Sequence, residues 1–179
     1  MRATGVVRRI DDLGRIVIPK EIRRTMRMRE GDPLEIFTGP NGEIIFKKYS
    51  IMAELSEFSQ NYADSLYKVS GMQCVIFDSD KVIACTGSGK KDTLGMPAAK
   101  EIEEILSQRT SYFRQYHSEK PIHPYPHSES CVIGAAPIIA SGDGVGVVAL
   151  TGSENEVLTD GQKKLLVLTS TLLANHLEV

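Results

Sequence analysis

The apolar positions of this chain change rhythm several times, and each change marks an element. The stretch TGVVRRI sets Val6, Val7 and Ile10 between basic ends, which predicts a strand over Thr4–Ile10. Asp11–Arg15 (DDLGR) holds two acids and a glycine and reads as a turn. Ile16–Ile18 predicts a second short strand. Pro19 pre-sets a helical φ where its missing N–H costs nothing, so a short helix is expected to open there and run to about Met26. Glu30-Gly31-Asp32 closes that unit. Leu34–Thr38 and Glu43–Lys48 then flank GPNG, whose Asn41 and Gly42 tolerate positive φ. This predicts a hairpin with Leu34, Ile36, Ile44 and Phe46 on one face.

Over Ser50–Ser70 the period lengthens. Ile51, Leu55, Phe58, Tyr62, Leu66 and Val69 recur every three or four residues, a helical stripe that packs either on its own domain or along a dimer seam. From Met72 short apolar runs alternate with helical ones. Gln73–Asp78 and Lys81–Thr86 flank Ser79-Asp80 as a hairpin. Pro97–Gln108 predicts a helix with Ile102, Ile105 and Leu106 inward, and Tyr112–Glu129, broken by three prolines, reads as irregular. Cys131–Ala140 and Val145–Thr151 flank SGDG as a second, strongly apolar hairpin. Thr159–Leu177 predicts a last helix, with a Thr159/Gln162 capping box and Leu165, Leu168 and Leu172 buried. Strand pairs separated by helices imply an antiparallel sheet with helices on its faces.

Charge alters this picture. The net charge of −2 hides a split: residues 1–49 carry 11 Lys+Arg against 7 Asp+Glu, and residues 1–29 carry 9 against 3. The remaining residues are net acidic. The basic segment is either a solvated surface around a small core or one aimed at an anionic partner. About 48 residues with two hairpin-like units and one short helix bury little core alone, so obligate dimerisation is expected to supply the missing apolar contacts. A two-fold dimer would also duplicate the arginines, in keeping with the symmetry of duplex DNA. Arg8, Arg9, Arg15, Arg23 and Arg24 are the candidate contacts, because a planar, permanently charged guanidinium suits phosphate oxygens and guanine edges.

Other candidate chemistry is thin. The GSGKK stretch at 87–91 fails the phosphate-loop pattern, with Ala84 and Lys91 at deciding positions. His117, His123 and His127 share a proline-broken loop but have no supporting ligand pattern, so no metal is expected. Cys74, Cys85 and Cys131 each sit in an apolar run and read as buried thiols. No nucleophile setting emerges, so no enzyme and no cofactor are expected. The N-terminus lacks an apolar signal core and no run of about 18 apolar residues occurs, which points to a cytoplasmic chain without a membrane span.

The order TGVVRRIDDLGRIVIPKEIRR, GDPLEIF, EIIFKKY resembles the AbrB family of bacterial transition-state regulators. That resemblance implies an α+β protein whose residues 1–50 form a swapped-hairpin β-barrel shared by a dimer. It places contacts to double-stranded DNA on Arg8, Arg15, Arg23 and Arg24, with Arg9 where relatives often carry another basic residue. The two-part layout resembles a sporulation regulator of this family. It implies a linker helix over 51–70 and a GAF-like α/β domain with an antiparallel sheet over 71–179. It further implies a homotetramer through the C-terminal domains, nucleoid association, and an unidentified small-molecule effector or a purely assembling role. Signature residues for cyclic nucleotides are not recognisable. An antitoxin-like module using the same barrel is the alternative reading.

Overall fold

In the computed structural model the chain divides into two compact units, Met1–Tyr49 and Ser50–Val179. The residues described are 5–49, 56–87, 89–115 and 120–178.

In the first unit the sequence pattern is met in part. The strands expected at Thr4–Ile10 and Ile16–Ile18 are absent: Gly5–Ile10 and Ile16–Ile18 are neither helix nor strand, and Thr4 lies outside the described residues. A strand exists only when a neighbour accepts its N–H groups and donates to its carbonyls, and a single chain supplies none here. The turn between them does form, with the Asp11 N–H donating to the Arg15 carbonyl at 3.1 Å and Gly14 at φ 76°. Helix α1 (Lys20–Thr25) follows Pro19, whose φ is −57°. Strands β1 (Leu34–Thr38) and β2 (Ile44–Lys48) pair antiparallel with Ile36 opposite Phe46. Leu34, Ile36, Ile44 and Phe46 therefore share one face, as the alternation predicts. Lys48 holds this hairpin to the helix exit, reaching the Arg27 carbonyl at 3.2 Å and Asp32 at 3.4 Å.

The second unit is a five-stranded antiparallel sheet between two helical layers. Its strands are β3 (Gln73–Phe77), β4 (Val82–Cys85), β5 (Tyr112–Phe113), β6 (Cys131–Ala140) and β7 (Asp143–Gly152), in the order β4-β3-β7-β6-β5. Helices α2 (Ser56–Ser70) and α5 (Asp160–Leu177) cover one face, closing over Cys74, Ile76, Ile133, Ile138, Val148 and Leu150. Helix α4 (Lys100–Gln108) covers the other with Ile102, Ile105 and Leu106 over Val75, Phe77, Val132 and Val147. A one-turn helix α3 (Lys90–Thr93) precedes it. Burial on both faces explains why β6 and β7 read as nearly continuous apolar runs rather than alternating ones. At Gly134, where the β6–β7 register shifts, a Cβ would collide with the Leu158 side chain. The expected start of α4 at Pro97 is late by three residues, because the Ala98 N–H donates to the Asp80 carbonyl at 2.7 Å and Pro97 bridges to Lys81. The segment read as irregular contains β5, tied to β6.

Both long helices face the sheet by a stripe that only partly matches the one expected: Tyr62 and Leu66 of α2 and Leu165 of α5 do pack on the core. In α5 the capping box forms as predicted, but Leu168 and Leu172 are exposed and Leu166, Thr169, Ser170, Leu173 and Ala174 point inward. The inward hydroxyls are satisfied: Ser170 donates to the Pro137 carbonyl at 2.5 Å and Thr169 to the Leu165 carbonyl at 2.8 Å. In α2, Ser59, Ala63 and Leu66 are buried, Phe58 and Val69 exposed; Ile51 and Leu55 lie outside the described residues. Helix α2, expected as a linker, is part of the second unit's core and is locked to the sheet edge by Gln60. That side chain accepts from the Cys85 N–H at 3.3 Å and donates to the Cys85 carbonyl at 3.0 Å.

This packing predicts that Leu166→Ala, which empties a fully buried site, lowers stability by about 2–5 kcal/mol. Thr171→Ala on the exposed side of the same helix should change it by less than about 0.5 kcal/mol. Urea denaturation of both variants, followed by far-ultraviolet circular dichroism, measures the difference.

Candidate nucleic-acid interface

The five candidate arginines are all exposed, and they fall on three local structures. Arg8 and Arg9 lie on the extended segment before the first turn; Arg8 Nη1 is 3.4 Å from the Val7 carbonyl. Arg15 closes that turn. Arg23 and Arg24 occupy the last turn of α1, where cationic side chains suit the partial negative charge of the carbonyl end.

Arg15 is the most defined of the set, and its position is set by Asp11. One oxygen of the Asp11 carboxylate accepts the Leu13 N–H at 3.0 Å and the Arg15 N–H at 2.7 Å. Its other oxygen takes Arg15 Nε at 2.8 Å. The Arg15 backbone N–H, its side chain and the Leu13 N–H all favour the carboxylate form and hold the Asp11 carboxyl below its usual range. Positive φ at Gly14 lets the chain reverse tightly enough for residue 15 to return to residue 11. The Arg15 side chain remains 70% exposed. The sequence pattern predicts Asp11 as a turn former; the signal for its pairing with Arg15 is the D-x-L-G-R spacing, which puts the acid four residues before the base.

Two lysines of the hairpin have partners within the unit. Lys48 is half-buried on Asp32, and Lys47 lies 4.5 Å over the Phe37 ring. Large apolar side chains are exposed beside the arginines: Val7 at 85%, Val17 at 72%, and Ile36 and Ile44 on the shared hairpin face.

The second unit carries the remaining candidates. Gly89 and Lys90 start the one-turn helix α3, while Ser88 lies outside the described residues. His123 Nδ1 is 3.2 Å from the Ser130 carbonyl, the His176 and Phe58 ring centroids lie 4.5 Å apart with the rings tilted, and His117 lies outside the described residues. Among the described residues, no three His, Cys, Asp or Glu side chains gather as metal ligands. Cys74, Cys85 and Cys131 are buried free thiols, and burial pushes all three upward from the ordinary thiol range. Such thiols are poor nucleophiles. No helix among the described residues is long and apolar enough to cross a membrane.

Comparison with known proteins divides the chain at the same place. Residues 54–178 match the family model of the stage V sporulation protein T C-terminal region, described as a transcription factor. Residues 7–51 match that of MazE, a bacterial antitoxin described by antidote–toxin recognition. Stage V sporulation protein T of Bacillus subtilis is 42% identical over 178 residues, covering 99% of each chain. The transition state regulatory protein AbrB of the same organism is 53% identical over 49 residues, which cover 27% of this chain and 50% of AbrB. The GAF domain of an Acinetobacter phosphoenolpyruvate-protein phosphotransferase superposes with a TM-score of 0.58 at 11% identity. That likeness covers 73% of this chain and 84% of the other and establishes the GAF fold of the second unit. An AbrB-type unit followed by a GAF-like unit, matched along its whole length, places this chain in the stage V sporulation protein T family of transcription factors.

Proposed function

We propose that this protein regulates sporulation genes by binding double-stranded DNA through Arg8, Arg9, Arg15, Arg23 and Arg24. The observation that carries the reading is that all five stand exposed on a unit 53% identical to AbrB. Permanently charged forks at the surface bind phosphate and displace its counterions, which gives affinity. Sequence preference then comes from base edges and from how easily the duplex deforms.

The binding form is a homodimer. Val7, Val17, Ile36 and Ile44 are exposed on the single chain, and a second copy laid across the hairpin face would cover them. It would also give the segments at Gly5–Ile10 and Ile16–Ile18 strand partners, closing a swapped-hairpin barrel. The GAF-like units join such dimers into a tetramer, through which two barrels engage DNA with raised effective concentration. A small-molecule effector acts on this assembly only by binding its DNA-competent and incompetent forms unequally. The protein works in the cytoplasm, at the nucleoid, and is not an enzyme. The antitoxin reading rests on residues 7–51 alone, whereas the transcription-factor match takes in the folded second unit.

Two measurements test this. Fluorescence anisotropy on duplex DNA across a salt series should give a log K against log salt slope of about −5 to −7, from roughly six to eight neutralised phosphates. Arg23→Ala with Arg24→Ala removes four charges per dimer and should flatten that slope by about 3 to 4. An unchanged slope returns both arginines to plain surface charge. Ile36→Asp puts a carboxylate on the face proposed to be covered, so sedimentation equilibrium should show loss of self-association through the first unit, and DNA affinity should fall with it. A variant that assembles and binds like wild type refutes the barrel dimer.

A further inference from the structure

The Asp11–Arg15 pair does not look like a phosphate contact. An arginine that neutralises phosphate is most effective with its charge uncompensated, yet Arg15 carries a carboxylate 2.8 Å from Nε. This carboxylate is not a stray surface partner. Its other oxygen is fixed by the Leu13 and Arg15 N–H groups inside a turn closed by the Asp11 N–H to Arg15 carbonyl bond, so the side chain moves away only by giving up both N–H bonds. The pair engages Nε and not the two Nη groups, which form the far end of the planar guanidinium. Those Nη donors have the spacing that matches O6 and N7 of guanine in the major groove. Holding Nε also removes rotamer freedom that an unpaired arginine would lose on binding. The depressed Asp11 carboxyl agrees with a pair that stays charged at neutral pH.

We propose that Asp11 is a positioning residue that turns Arg15 from a phosphate contact into a reader of base edges, with guanine as the base it selects. The proposal rests on the DNA-binding reading above. The two remain separable, because Arg23 and Arg24 report on DNA binding without involving this turn.

Asp11→Asn is the informative variant. The amide oxygen still accepts the Leu13 and Arg15 N–H bonds, so the turn survives, but the amide nitrogen cannot pair with a guanidinium. Full-length wild type, Asp11→Asn, Arg15→Ala and the double variant are compared by anisotropy. The probes are a duplex enriched by the wild-type protein from a random pool and a scrambled duplex of equal composition. The expected result is that Asp11→Asn lowers affinity for the enriched duplex by about tenfold and leaves the scrambled duplex nearly unchanged. Arg15→Ala should act in the same sense without changing the salt slope. Asp11→Asn should add nothing in the Arg15→Ala background, a result that a merely structural role would not produce. The proposal is overturned if Asp11→Asn tightens both duplexes, which would make Asp11 a repulsive bystander. It is overturned equally if the loss persists in the Arg15→Ala background or if Arg15→Ala flattens the salt slope in the way expected of Arg23→Ala with Arg24→Ala. Should wild type bind neither duplex, the DNA-binding reading fails and takes this one with it.

Discussion

The N-terminal unit has more apolar surface than one chain can cover, and the organisation of the protein follows from that imbalance. A two-stranded hairpin is marginal in water by itself, and here one of its faces carries Leu34, Ile36, Ile44 and Phe46, with nothing among the described residues burying Ile36 or Ile44. Two further β-branched segments, at Gly5–Ile10 and Ile16–Ile18, remain without a ladder. In the dimer proposed above, a second copy would resolve both deficits with one set of contacts. It would also bring the arginine-bearing segments into two-fold relation, so that a core and a symmetric cationic surface would arise from the same event.

The GAF-like unit is built on the opposite principle. Its sheet is closed on both faces by helices, and its longest strands are apolar throughout. The outer edge of β4 is covered: Val82 exchanges backbone hydrogen bonds with Gly95 and Met96, and the Gln60 amide satisfies both backbone groups of Cys85 in the manner of a neighbouring strand. A unit with its core complete can devote its remaining surface to assembly or sensing. The outward faces of α2 and α5 carry Phe58, Val69, Val167, Leu168 and Leu172, which is apolar area beyond what the sheet requires.

Within the basic segment the charges are not equivalent. Arg23 and Arg24 stand on the last turn of a short helix. Lys48 and Lys47 are spent on Asp32 and the Phe37 ring. Arg15 is held by an acid whose own geometry is imposed by backbone N–H groups. Counting lysines and arginines cannot separate these roles, since net charge is silent about which cations are already compensated.

Much was legible in the residues alone. The Asn41-Gly42 turn, the Ser79-Asp80 turn, the Thr159/Gln162 capping box and the run of buried strands from Cys131 are local signals whose physics is complete within a few residues. So is the placement of Arg15 in a turn and of Arg23 and Arg24 on a helix. What the residues left open depends on partners distant in the chain. Leucines at 165, 168 and 172 form as good a stripe as those at 166 and 173, yet Leu166 and Leu173 are the ones fully buried, on the same face as Ser170, which meets the Pro137 carbonyl of β6. Thr4–Ile10 has the composition of a strand, but composition cannot supply the neighbour that a strand requires. The sequence by itself determined the local conformations and the arginine-rich character of the first unit. Only the tertiary structure decided which helix faces are buried and which arginine is restrained, because burial and pairing are properties of two surfaces and a sequence pattern describes one.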